Sequence, residues 1–200
     1  MRQETGRNSK NSETKASIRL ASGGRFFSAS ILDEIADKSV IEVIIDTPRV
    51  TLVPATMVNA LPLESLLAIN GQAPLSNEVV VKSNNIDGRV AVIAIAKSAF
   101  DAISTSAEHV YFTTPLLNNS HYREKALVIE VVDGCCYFRL YNNGLIFAEA
   151  LEITTAEDIL FYTSQILDKT SMEQNIPIYI IGSTNSAKIV KKYYKKVICE

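Results

Sequence analysis

ALVIEVVDGCCYFRLYNNGLIFAEALEI, residues 126–153, falls into three apolar runs separated by Asp133-Gly134 and by Asn142-Asn143-Gly144. Asn, Asp and Gly tolerate the positive φ of tight hairpin turns, so the stretch predicts three antiparallel strands joined by short turns. Downstream, Thr155 is placed to cap a helix whose first turn holds Glu157 and Asp158, with Ile159, Tyr162, Ile166 and Leu167 on its apolar stripe. Ile178 to Ile181 follows as a buried strand, and Asn185 is read as the cap of a last helix.

The same order is read upstream. Ile18 and Leu20 alternate with polar residues, Ser22-Gly23-Gly24 supplies a turn, and Phe27, Ala29 and Ile31 alternate again. Val40 to Ile45 makes a third run, ended by Asp46-Thr47-Pro48, and the three together predict an antiparallel meander. Pro62 divides Pro54 to Asn70 into two short helices. Val79 to Val81 and Val90 to Ile95 read as strands around Asp87-Gly88, Lys97 to Ser104 as a helix, and His109 to Thr113 as a strand. The chain therefore reads as α/β in class, with two lobes of type βββαβα: a polar tail over 1–14, an N-terminal lobe over 15–114 and a C-terminal lobe over 122–200.

Four segments resemble an uncharacterised bacterial family with the actin-like ATPase fold, in which two ribonuclease-H-like lobes face each other across a nucleotide cleft. They are Ser17-Ile18-Arg19-Leu20, Thr51-Leu52-Val53-Pro54, Glu157 to Tyr162, and Ile181-Gly182-Ser183 leading to Tyr193-Tyr194. By architecture the chain is also similar, more distantly, to the actin-like platform proteins of type IV pilus and type II secretion machines. The resemblance implies phosphate-holding hairpins with an aspartate that positions magnesium. The first hairpin carries Gly23 and Gly24 without a carboxylate, the second carries Asp133 and Gly134, and Gly182 keeps one glycine of a pair. Two readings stay open: ordinary turns, or a cleft that holds ATP through Gly23, Gly24, Gly134 and Gly182 with Asp133 near magnesium.

Other chemistries are absent from the sequence. There is no phosphate-loop or dinucleotide glycine motif and no nucleophile elbow, and His109 and His121 stand without a partner motif. Cys135 and Cys136 point to opposite faces of a strand and cannot share a metal easily. With 20 basic and 22 acidic side chains, the chain lacks the basic surface of a nucleic-acid binder. No apolar leader opens the sequence, so a cytoplasmic protein with reduced cysteines is expected.

Two surfaces are singled out. Ile189, Val190, Tyr193, Tyr194, Val197 and Ile198 would share one side of a C-terminal helix, with Lys188, Lys191, Lys192, Lys195 and Lys196 on the other. Tyr137, Arg139 and Tyr141 share a strand face suited to protein contact. The functional expectation is a non-catalytic actin-like scaffold, a monomer or weak dimer that binds another protein, with no catalytic residue, no metal site, no nucleic acid and no membrane. The alternative is an ATP-binding, weakly hydrolysing protein that uses the cleft.

Overall fold

The structure is a computed structural model that describes residues 15–28, 30–35, 38–106, 109–119 and 123–200. The tail over 1–14 and His121 lie outside the described residues. The described chain is mixed α/β and builds three sheets.

The C-terminal half follows its sequence closely. β7 (Lys125–Val132), β8 (Cys135–Asn142) and β9 (Leu145–Glu152) form an antiparallel meander, with Val132 opposite Cys135 across the Asp133-Gly134 turn. Asp133 and Gly134 both take positive φ, 45° and 77°, as a two-residue turn of this hand requires. Helix α5 (Ala156–Lys169) starts at Thr155, and the Asp158 carboxylate accepts the backbone N–H groups of Thr154 and Thr155, both at 2.8 Å. β10 (Ile178–Ile181) then lies parallel to β7, and β11 (Val197–Cys199) parallel to β10, giving the order β11-β10-β7-β8-β9.

The last helix departs from expectation. α6 spans Thr184–Val190 and is capped by Ser183, whose hydroxyl accepts the N–H of Ser186, rather than by Asn185. Beyond Val190 the chain turns and becomes β11, so the amphipathic helix over 188–198 does not form. The β-branched Val197 and Ile198 find a strand partner in β10, and sheet pairing overrides the helical periodicity.

The N-terminal half is not a meander. β1 (Lys15–Leu20) and β2 (Val40–Ile45) run parallel, as do β2 and β6 (His109–Thr113). Ser22, Gly23 and Gly24 take φ of 51°, 65° and 79°, and these three left-handed residues carry the chain off the sheet instead of folding it back as a hairpin. The run expected as a strand from Phe27 becomes loop and then α1 (Ser30–Ile35), a crossover of the kind parallel strands need. A second antiparallel sheet holds β3 (Val50–Pro54), β5 (Arg89–Ala96) and β4 (Glu78–Lys82). Short helices α2 (Ala55–Val58) and α3 (Leu63–Ile69) flank Pro62, and α4 (Lys97–Ser104) follows β5 directly.

Burial explains how the sheets join. β5 is apolar along its whole length because both faces are covered: Val90, Val92 and Ala94 pack toward α3, while Ala91, Ile93 and Ile95 pack toward β1 and β2. β8 is covered on both faces as well. Cys136, Phe138 and Leu140 pack toward α5 and α6, whereas Cys135 and Tyr137 belong to the core built by β1, β2 and β5. The Tyr137–Arg139–Tyr141 face, expected as a contact surface, is therefore interior. Of the three hydrophobic clusters among the described residues, the one built on β1, β2 and β5 extends onto the five-stranded sheet through Cys135, Tyr137 and Ala150.

Candidate functional site

A polar cavity of about 350 Å³ opens where the loops after β1 and β2 meet the β7–β8 turn. Ser22, Arg25, Asp46, Arg49, Asp133 and Glu152 contribute its charged and polar walls. Its volume sits at the lower end of small-molecule sites. Asp46 follows the last residue of β2, a position set by the parallel sheet, and is 2 % exposed.

The charges around this cavity are paired within the chain. Arg19 on β1 donates from Nε to one Asp46 oxygen at 2.5 Å and from Nη2 to the other at 2.8 Å, a bidentate geometry. Burial raises the Asp46 carboxyl above the ordinary carboxylate range, with Arg19 pulling the other way. Arg49 donates Nε to both oxygens of the buried Glu78 at 3.0 and 3.1 Å, and Arg25 approaches the same carboxylate at 3.5 Å. The backbone N–H of Gly23 donates to the Asp46 carbonyl at 2.7 Å. Asp133 and Glu152 remain as wall carboxylates.

Behind the cavity the two halves are joined by polar side chains. The Tyr137 hydroxyl accepts the Thr47 N–H at 2.8 Å. Arg139, fully buried, donates to Glu130 at 3.0 Å, to the Pro115 carbonyl at 3.0 Å and to the Asn118 carbonyl. Burial lowers the Arg139 guanidinium from its ordinary value, with Tyr141 and Glu130 opposing. Glu130 also meets Arg19 at 3.5 Å, so Asp46, Arg19, Glu130 and Arg139 form one chain of alternating charge from β2 to β8. A network of this kind, buried except at Arg19, adds little net stability but fixes how its elements meet, because removing one member strands the next charge.

The five glycine-centred positions separate. Asp133 and Gly134 line the cavity. Gly23 and Gly24 are buried just behind it, and Gly24 lies where an added Cβ would sit 2.8 Å from the Ala99 Cβ on α4. Gly182 is outside the cavity walls, at φ +83°, and its missing side chain leaves room for the Val131 carbonyl of the neighbouring strand. Close packing is thus sufficient reason for glycine at 24 and 182. Sequence reasoning missed Asp46, Arg19, Glu130 and the Arg49–Glu78 pair, and it put the buried Arg139 on a contact face.

Among the described residues no three His, Cys, Asp or Glu side chains converge as a metal site. The three cysteines are free; Cys135 and Cys136 are buried, with burial pushing the Cys135 thiol up to about 11. No helix among the described residues is long and apolar enough to cross a membrane.

Comparison with known proteins places this architecture. The chain belongs to the family described as protein of unknown function (DUF3822), matched over residues 38–197. A solved Bacteroides thetaiotaomicron protein with an actin-like ATPase fold and unknown function is similar at a TM-score of 0.70 and 18 % identity, over 88 % of this chain and 73 % of that one. The cytoplasmic domain of EpsL, an inner-membrane component of the Vibrio cholerae type II secretion system, gives a TM-score of 0.47 at 12 % identity, over 83 % of this chain and 81 % of that one. An AlfA filament bound to AMPPNP gives 0.42 at 10 % identity, over 85 % and 55 %. The first of these carries the fold: this chain has the actin-like ATPase fold. No curated protein matches the chain.

Proposed function

With family membership and the actin-like fold as the premise, we propose that this chain is a non-catalytic, cytoplasmic actin-like scaffold that binds another protein. The observation that carries the proposal is the internal pairing of the charges around the cavity. A magnesium nucleotide would need cations and backbone donors turned toward its phosphates. Both nearby arginines are turned to Glu78, both oxygens of Asp46 are taken by Arg19, and the Gly23 N–H is taken by Asp46. The wall carboxylates Asp133 and Glu152 repel phosphate. The residues present do not fit a magnesium nucleotide, and no hydrolytic step is derived through one.

What supports binding of protein instead is that the two halves are joined by a shared hydrophobic cluster and a chain of ion pairs rather than across a cleft with free cations. The test is thermal melting with and without Mg-ATP. An unchanged midpoint is expected. A bound ligand at about 100 times its Kd adds about 2.7 kcal/mol, a rise of several degrees, and that rise would overturn the proposal.

A further inference from the structure

Lys188, Lys191, Lys192, Lys195 and Lys196 are all exposed, and none has an ion-pair partner among the described residues. They lie on α6 and on the turn that carries the chain from Val190 into β11, in a protein whose net charge is −2. In the middle of this turn Tyr193 is 69 % exposed. Across from it on α5, Phe161 is 59 % exposed. Between them is a recess of about 400 Å³, lined by Leu160, Phe161 and Tyr193 and by the polar Glu157, Ser164 and Gln174. Tyr194 lines it too, with its ring buried.

We infer that this recess, together with the exposed lysines of the turn that carries Tyr193, docks an acidic segment of another protein through one bulky apolar side chain. The inference rests on the reading of the chain as a protein-binding module and adds where the partner sits and what chemistry it carries. Leu160, Phe161 and Tyr193 give the recess an apolar side that suits a bulky anchor, the kind of residue that dominates interface energy, and its polar side can take the anchor's flanking backbone. The exposed lysines on α6 and on the turn that carries Tyr193 contribute long-range attraction and selection by charge, so the segment flanking the anchor must be rich in Asp and Glu. A lipid surface fits less well. It takes a projecting apolar face, whereas here the apolar groups surround a hollow that includes a carboxylate and a phenol.

The test is fluorescence anisotropy with a labelled synthetic peptide in which Asp and Glu flank a central Trp-Leu pair, against the same peptide with Ala-Ala at its centre. Binding of the first and not the second is expected. It should weaken about tenfold or more, ~1.4 kcal/mol, in Phe161→Ser and again in the Lys191→Glu, Lys192→Glu, Lys195→Glu, Lys196→Glu variant, and weaken with added salt. All five positions are exposed, so both variants should melt where the parent does, and the same melts confirm that they fold. No binding by the parent, equal binding of the Ala-Ala peptide, or binding unmoved by either variant would overturn the inference. So would flotation with phosphatidylcholine–phosphatidylserine vesicles that only the lysine variant loses, which would make the patch a membrane contact. Peptide binding lost while Mg-ATP leaves melting unmoved removes this surface alone. Peptide binding retained with a melt raised by Mg-ATP removes the nucleotide-free reading and leaves the surface.

Discussion

Replacing Tyr137 by Phe removes one oxygen from the junction between the two halves and leaves the ring in place. The ring is wholly buried, and its hydroxyl accepts the Thr47 N–H at 2.8 Å; the second approach, to the Thr47 carbonyl at 3.5 Å, is too long to add much. A buried N–H stripped of its acceptor costs about 1–3 kcal/mol. Thr47 borders the polar cavity, so a water can take the place of the lost oxygen, which puts the expected loss at about 1–2 kcal/mol. At about 2–4 °C per kcal/mol for a chain of this size, the melting midpoint should fall by ~2–8 °C. In urea the midpoint should move down with the slope unchanged, since the surface exposed on unfolding is the same. Tyr137→Ala, which also empties the space of the ring, should lose about 3–5 kcal/mol. A Tyr137→Phe midpoint equal to that of the parent would refute the hydrogen bond as a tie between the halves. A loss as large as that of Tyr137→Ala would show that the account of the ring is wrong.

Gly182→Ala and Gly134→Ala both force alanine into a left-handed backbone, which costs roughly 1–2 kcal/mol, but only the first drives a methyl group into the Val131 carbonyl. Gly182→Ala should therefore be clearly the more destabilising in urea unfolding, and equal losses would remove the packing role given to Gly182. Exposed Cys199 should react at once with a thiol reagent in the native protein, while Cys135 and Cys136 react only on unfolding, as counted by mass spectrometry. Backbone N–H groups hold the Asp158 carboxyl below its ordinary range, so its contribution is present at neutral pH and lost as pH falls through that depressed value. Asp158→Asn should be less stable than the parent at pH 7, with the gap closing under acid below about pH 4; a pH-independent gap in thermal melts would contradict this.

What could be read from the sequence depended on local chemistry. The β7–β8–β9 meander was legible because Asp-Gly and Asn-Asn-Gly admit few backbones besides tight turns. Phe27 to Ile31 was not, since alternating small and apolar residues suit a strand or a short helix equally, and the left-handed run at 22–24 decides between them. The end of the chain misled for the opposite reason: its helical periodicity is clear, but an open edge on β10 gave Val197 and Ile198 a better partner. In the site, Asp133 and Gly134 stood out as a turn. Asp46 did not, because its partner Arg19 lies on another strand of a parallel sheet, whose register no short motif encodes. One signal was available. Glu130 is the one charge between Ala126 and Val132 and Arg139 the one charge between Cys135 and Asn142, on either side of a single turn, and hairpin register puts Glu130 opposite Tyr137, diagonal to Arg139 on the same face.

The central claim, that the arginines beside the cavity are paired with carboxylates of the chain and leave no cation for a nucleotide's phosphates, is tested most directly by titration calorimetry of the purified protein with Mg-ATP and Mg-ADP. No heat beyond dilution at millimolar nucleotide is predicted. A saturable isotherm with either nucleotide, lost in Asp133→Asn, would contradict it.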